Sequence, residues 1–228
     1  MLYEPYPYQE YAEKFVIQNQ GAGLILDMGM GKSVITLSAI EKLIYDYFEL
    51  DKFLIIAPLE PAKNTWPSEL AKWDHLKSLS YSLVLGSEKE RLAALHKKAD
   101  IYIVNRENVP WLVNHYKTKW PFTGVCIDEL SSFKSSKAQR FRELRKVRRY
   151  IKRIVGLTGT PAPNGLLDLW PQVYLLDEGL ALGRTVTGYR VSKSAFTEQT
   201  AIQDLQNFGV HSTFHLFYVP RLLYHIQN

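Results

Sequence analysis

The feature that most constrains this chain is Asp27-Met28-Gly29-Met30-Gly31-Lys32-Ser33, which directly follows the apolar run AGLILD at 22–27 and directly precedes an amphipathic stretch. Two glycines one residue apart let a backbone turn tightly enough for its N–H groups to converge on one point. A helix starting immediately behind them aims its positive dipole end at the same place. The segment therefore calls for a strand, a glycine turn and a helix in that order, forming a cradle for phosphate. In that arrangement Lys32 meets the β- and γ-phosphates of ATP, the Ser33 hydroxyl ligates Mg²⁺, and Met28, Gly29, Met30 and Gly31 line the phosphates with backbone. The general pattern G-x-x-x-x-G-K-S/T carries glycine where this chain has Leu26, so the match departs at that position.

The rest of the chain has the rhythm that such a loop requires. Short apolar runs alternate with longer amphipathic ones, as in parallel strands joined by crossover helices. Strands are expected at 22–27, 53–57, 81–85, 101–104, 123–127 and 153–158, mainly apolar and rich in β-branched residues, as strands covered on both faces are. Helices fit at 8–19, 32–46, 62–73, 88–97, 134–149 and 165–176. The fold class is thus α/β, a parallel sheet with helices on both faces, and no repeat or low-complexity linker divides residues 1–190.

A second constellation lies 96 residues downstream of Lys32, where the apolar Val125-Cys126-Ile127 delivers Asp128 and Glu129. Ligands of open α/β sheets bind at the C-terminal ends of strands. Neighbouring residues on a strand point to opposite sides, so at a strand end one carboxylate can hold a metal while the next polarises water. Asp128 is accordingly assigned to Mg²⁺, through a bound water, and Glu129 to activating the attacking water.

Composition excludes several classes. Cys126 is the only cysteine, which rules out an internal disulfide and suits a reducing compartment such as the cytoplasm. No stretch reaches the roughly 18 apolar residues of a membrane span, so no membrane partner is expected. The six histidines show no metal-ligand spacing. The net charge of +5 hides a concentration: ten Lys/Arg against Glu143 alone between Lys134 and Arg153, while the remainder holds 18 bases and 22 acids. Such a segment fits either a polyanion partner or an ordinary solvated helix whose Phe141, Leu144 and Val147 face the core.

Taken together these motifs resemble the first, RecA-like lobe of a Swi/Snf-type ATPase of helicase superfamily two, a P-loop NTPase with a sheet of six to seven strands, and are similar to compact phage or prophage members. Tyr6-Pro7-Tyr8-Gln9 resembles the N-terminal glutamine motif, which implies that Gln9 reads the adenine edge. FLIIAPLEPAKNTWPSELAKW at 53–73 resembles the motif in which a strand ends in Ala-Pro and the next helix carries a tryptophan, a DNA-tracking element. IDELSSF at 127–133 resembles the DExx box, with Ser131 in place of the usual histidine or aspartate. LTGTPAPN at 157–164 is similar to the third motif, which implies that Thr158 and Thr160 couple the ATP site to nucleic acid. The resemblance spans residues 3–190 and implies duplex DNA as partner, contacted by Lys63, Asn64, Arg106, Lys134 and Thr160 at or beside strand ends.

Nothing after residue 190 resembles the family's second RecA-like lobe, whose arginine finger completes the ATP site and is worth roughly 10³–10⁵ in rate. The expectation is a lobe that binds ATP and hydrolyses it weakly until that second lobe is supplied in cis or trans. Residues 191–228 form an extension without βα alternation, read either as a helical appendage or as a surface for a partner. That stretch also motivates a second reading, a non-hydrolysing ATP-dependent module that grips DNA or protein. No feature of the sequence sets an oligomeric state.

Overall fold

The computed structural model describes residues 1–160, 166–187 and 214–219. Seven strands, all parallel to their neighbours, form one sheet among the described residues: β1 (Gly21–Leu26), β2 (Phe53–Ala57), β3 (Tyr81–Val84), β4 (Ile101–Asn105), β5 (Gly124–Asp128), β6 (Arg153–Thr158) and β7 (Phe214–Val219). Their order is β3-β4-β2-β5-β6-β1-β7. Because the strands are parallel, every C-terminal end lies on the same edge. The chain leaves β1, passes β6 and β5, and enters the sheet again at β2, which brings the ends of β5, β6 and β1 side by side.

The helices are α1 (Pro7–Gln18), α2 (Lys32–Tyr45), α3 (Trp66–Lys72), α4 (Glu88–His96), α5 (Val109–Tyr116), α6 (Gln139–Val147) and α7 (Leu169–Asp177). They cover both faces of the sheet. On one face Phe53, Ile55 and Ala57 of β2 join a core with Val16 of α1, Ile35 and Ile40 of α2 and Leu70 of α3. On the other, Leu54 and Ile56 meet Leu112 of α5, Phe141 and Leu144 of α6 and Trp170 of α7. This alternation along a single strand is the two-residue period of extended chain, and it explains why the strand is apolar throughout.

Local chemistry sets several boundaries. Helix α4 opens with a capping box in which Ser87 and Glu90 satisfy each other's backbone amides. The expected helix over 62–73 instead begins as a π-helical turn, Pro61–Thr65, before α3. The expected helix over 134–149 is shorter: 3₁₀ turns at Leu130–Phe133 and Arg148–Tyr150 lie on either side of α6. Two elements go beyond the sequence reading. Helix α5 was not foreseen, and β7 lies within the stretch read as an extension without βα alternation, where it pairs in parallel with β1 from Gly21↔Phe214 to Leu26↔Val219. Pro161, Ala162, Pro163 and Asn164 of the third motif, and the segments on either side of β7, lie outside the described residues.

Candidate functional site

The loop between β1 and α2 is shaped by its glycines. Gly29 and Gly31 have φ of 83° and 78°, the left-handed region where a side chain is strained. A Cβ on Gly29 would meet nothing within 4 Å, whereas one on Gly31 would overlap the Gln9 amide. The first glycine thus keeps an open approach for a ligand, and the second keeps contact with the wall behind. That wall is α1: Tyr8 Oη donates to the Met30 carbonyl at 3.0 Å and Gln9 Nε2 donates to the same oxygen at 3.4 Å. Gln9 Oε1 in turn accepts from the Tyr6 amide at 2.9 Å. The Met30 side chain is buried, while Met28 is 92% exposed at the loop's tip.

Helix α2 starts at Lys32 with no side-chain cap, so the amides of its first turn are open to an anion. The Lys32 ammonium lies across the loop, donating to the carbonyls of Leu26 at 2.6 Å and Asp27 at 3.0 Å. Burial pushes its pKa down, opposed by the negative charges of Asp128, Glu129 and Asp27. The sheet order puts these groups on one edge: Lys32 follows β1, Asp128 and Glu129 lie at the end of β5, and only β6 stands between the two strands.

Asp128 is the last residue of β5, and burial pushes its carboxyl above the ordinary range. The Trp66 indole opposes that shift by donating to Oδ2 at 3.0 Å, Glu129 reinforces it, and Lys32 opposes it. Glu129 leaves the strand at φ 58° and ψ 62°, a left-handed conformation that is rare for a residue with a side chain and concentrates at functional sites. Its exposed carboxylate accepts from Ser131 Oγ at 2.5 Å and from Thr158 Oγ1 at 3.4 Å. Thr158 Oγ1 also accepts from the Thr160 amide at 3.2 Å.

The sheet order explains this convergence. Thr158 ends β6, which lies between β1 and β5: Ile25 is its partner on one side, and Leu157 pairs with Asp128 on the other. One buried hydroxyl therefore stands between the phosphate-type loop and the carboxylate pair and also accepts from the amide of Thr160, which is exposed. Ser131, at the position where histidine or aspartate was the usual expectation, bonds the side chain of Glu129.

The predicted nucleic-acid contacts also fall on this edge. Arg106 follows β4, Lys63 and Asn64 follow β2, Lys134 follows β5 and Thr160 follows β6, and these four strands are consecutive in the sheet. At about 4.8 Å between strands they span roughly 14 Å. Lys63, Asn64 and Thr160 are exposed, and Arg106 and Lys134 are half-buried. Asn64 donates to Glu60 at 3.0 Å, and Arg106 pairs with Glu107 at 2.9 Å. The tryptophan at the head of α3, Trp66, is 0% exposed. Within the stretch resembling a DNA-tracking motif, the Trp66 indole is therefore no part of the surface, whereas Lys63, Asn64 and Thr65 just before it are exposed.

The basic run Lys134–Arg153 divides along its length. Phe141, Leu144 and Val147 of α6 are buried as the solvated-helix reading expects. Arg148 is buried too, and its guanidinium donates to the carbonyls of Leu175 at 2.5 Å, Ile151 at 2.8 Å and Leu176 at 2.9 Å. Arg153 forks onto Glu49 at 2.7 and 2.8 Å. These two arginines belong to the N-terminal edge of the sheet, away from the loop.

Comparison with known proteins identifies the family and the fold. Residues 8–190 match the SNF2-related domain. A protein of Acyrthosiphon pisum secondary endosymbiont phage 1, p41, is 39% identical over 193 residues, covering 82% of this chain and 42% of p41. The ISWI chromatin-remodeling complex ATPase ISW1 of Saccharomyces cerevisiae is 28% identical over 178 residues, 72% of this chain and 15% of ISW1. The chain thus spans less than half the length of these relatives. Among solved structures, the Sulfolobus solfataricus SWI2/SNF2 ATPase core in complex with dsDNA superposes with a TM-score of 0.71 at 23% identity, over 90% of this chain and 44% of that one. That likeness establishes a RecA-like fold. With a glycine loop, a strand-end carboxylate pair and a bridging threonine on one sheet edge, and the domain match covering residues 8–190, the chain belongs to the SNF2-related family of helicase-like ATPases.

Proposed function

We propose that this chain is the first lobe of a DNA-dependent ATPase that moves along duplex DNA, and that it binds ATP with Mg²⁺ between its glycine loop and the end of β5. The observation that carries the reading is geometric: the Lys32 loop after β1 and the Asp128–Glu129 pair at the end of β5 lie on one edge of the parallel sheet, with Thr158 of the intervening β6 hydrogen-bonded to Glu129. The loop and first-turn amides, with the Lys32 ammonium, hold the β- and γ-phosphates; Gln9, set behind the loop on α1, is close enough in the fold to serve the adenine end. The residues present fit a magnesium ion. Ser33 and Asp128 are hard oxygen donors, and a cation would oppose the upward push that burial gives the Asp128 carboxyl. When bound, the metal would neutralise phosphate charge.

Glu129 is the base. Ser131 and Thr158 hold one of its oxygens, leaving the other to take a proton from an attacking water. Since Thr158 also accepts from the Thr160 amide, a nucleic-acid strand pressing on Thr160 would alter the hydrogen bond to the base. The consecutive strand ends carrying Arg106, Lys63, Asn64, Lys134 and Thr160 fit a backbone of regularly spaced phosphates, which gives affinity without sequence preference. The relative solved with dsDNA supports duplex DNA as that partner.

In this reading a second RecA-like lobe, on the same or another chain, supplies the arginine that completes the site. The test is ATP turnover with and without duplex DNA, with and without that lobe. DNA-stimulated turnover is expected only when the lobe is supplied; equal turnover without it contradicts the proposal. Tight ATP binding with no turnover in any mixture would instead favour the non-hydrolysing binding module.

A further inference from the structure

Trp66 is fully buried, and an indole N–H taken out of water must find an acceptor or cost about 1–3 kcal/mol. Its acceptor is Asp128 Oδ2 at 3.0 Å, 62 residues away in sequence. The other four tryptophans are satisfied elsewhere: Trp73 by Glu69, Trp111 by Glu88, Trp120 by the Phe122 carbonyl and Trp170 by the Gly183 carbonyl. Among the described residues, Trp66 alone of the five aims its donor at the candidate site.

The chain makes a specific effort to put it there. Strands β2 and β5 are neighbours, with Ile56 beside Ile127, so whatever follows β2 lies next to the end of β5. Between β2 and α3 the backbone takes the π-helical turn, and the Trp66 amide reaches back five residues to the Pro61 carbonyl. Each residue of helix turns the chain by about 100°, so the extra residue of a π turn rotates everything after it by that amount. The turn therefore leaves Lys63, Asn64 and Thr65 exposed and swings Trp66 inward to the carboxylate.

We propose that Trp66 is a positioning residue for the carboxylate assigned to the metal: its N–H engages Oδ2 of Asp128 and holds the side chain in the orientation in which that carboxylate would serve the ion. The inference rests on the ATP–Mg²⁺ reading above. A hydrogen bond that orients a metal ligand through its second atom is worth about 10–100-fold in metal affinity where such partners are removed. A purely structural Trp66 would fill the core and borrow Asp128 as a convenient acceptor; its loss would lower stability and leave the metal dependence of nucleotide binding unchanged.

The experiment is equilibrium binding of ATP to this chain across a Mg²⁺ titration and in excess chelator, for the unmodified protein and Trp66→Phe, which keeps a buried ring and removes the donor. The expected result is a rise of about tenfold or more in the Mg²⁺ concentration at half effect, with chelator-phase ATP affinity unchanged. An unchanged Mg²⁺ half-point with intact ATP binding overturns the proposal. Should the phenylalanine variant fail to fold, 3-benzothienylalanine at position 66 preserves the shape of the indole with sulfur in place of N–H, and the same two outcomes apply. If the unmodified protein binds ATP without any response to Mg²⁺, the ATP–Mg²⁺ reading itself fails and this inference falls with it. That result is distinct from a flat response confined to the variants.

Discussion

The two edges of the sheet use the same kinds of residue in opposite ways. At the N-terminal edge, Arg148 and Arg153 are enclosed: one guanidinium is shared among three carbonyls at the end of α7 and the start of β6, and the other is forked onto Glu49 and also donates to the Ile17 carbonyl at 2.6 Å. At the C-terminal edge, Lys32 lies against the carbonyls of an open loop, and Lys63 and Lys137 are exposed. The first edge ties connections to the sheet. The second leaves charge and donors at the surface. A run of ten bases in sequence is therefore not one functional patch; it begins on the edge that presents charge and ends on the edge that consumes it.

Substitutions can break this comparison. Removing Arg148 with Arg148→Met would leave the Leu175, Leu176 and Ile151 carbonyls without their donor. The expected loss is about 3–5 kcal/mol of unfolding free energy in a denaturant titration, with ATP affinity of the folded fraction unchanged. A large drop in ATP affinity without loss of stability would show that the two edges are not separate in function.

The Arg153–Glu49 pair offers a smaller, pH-dependent effect. The Arg153 hydrogen bonds hold the Glu49 carboxyl below its ordinary range. Such a depressed group stabilises the fold above the unfolded carboxylate pKa, and the contribution disappears as pH falls through the lower, folded-state value. Glu49→Gln should therefore cost about 1–2 kcal/mol near pH 7 and almost nothing once both states are protonated, as read from unfolding at the two pH values. A cost that does not change with pH would mean the contact acts by packing alone.

The smallest effect is expected at the other edge. Lys63→Ala should weaken duplex DNA binding alike for unrelated sequences and reduce the slope of log affinity against log salt by about 1. A change confined to one DNA sequence would argue against backbone contact at that strand end.

Legibility in the sequence follows the same division. The loop, six strands and the carboxylate pair were readable because each depends on local pattern: an apolar run, a glycine spacing, a change of period at Lys32. Helix α5, not among the expected helices, did carry a local signal in Pro110 near its start and in Val109, Leu112 and Val113 at helical spacing. Strand β7 was missed for another reason. Phe214–Val219 is a short apolar run, but its place beside β1 comes from pairing with a segment roughly 190 residues earlier, which no local period records. The fold-dependent contacts of the site were equally hidden. That Trp66 reaches Asp128, that Ser131 and Thr158 hold Glu129, and that Tyr8 and Gln9 brace Met30 all depend on which strand ends are neighbours and on a π turn that helical periodicity does not reveal.

Lys32 and the two carboxylates at the end of β5 are proposed to enclose one nucleotide while performing different tasks. ATP affinity measured side by side for the unmodified chain, Lys32→Ala and Glu129→Gln in the presence of Mg²⁺ tests this. The expected result is affinity for the unmodified chain, a loss of about 100-fold or more for the lysine variant and retention in the glutamine variant. Undiminished affinity in Lys32→Ala would rule the arrangement out.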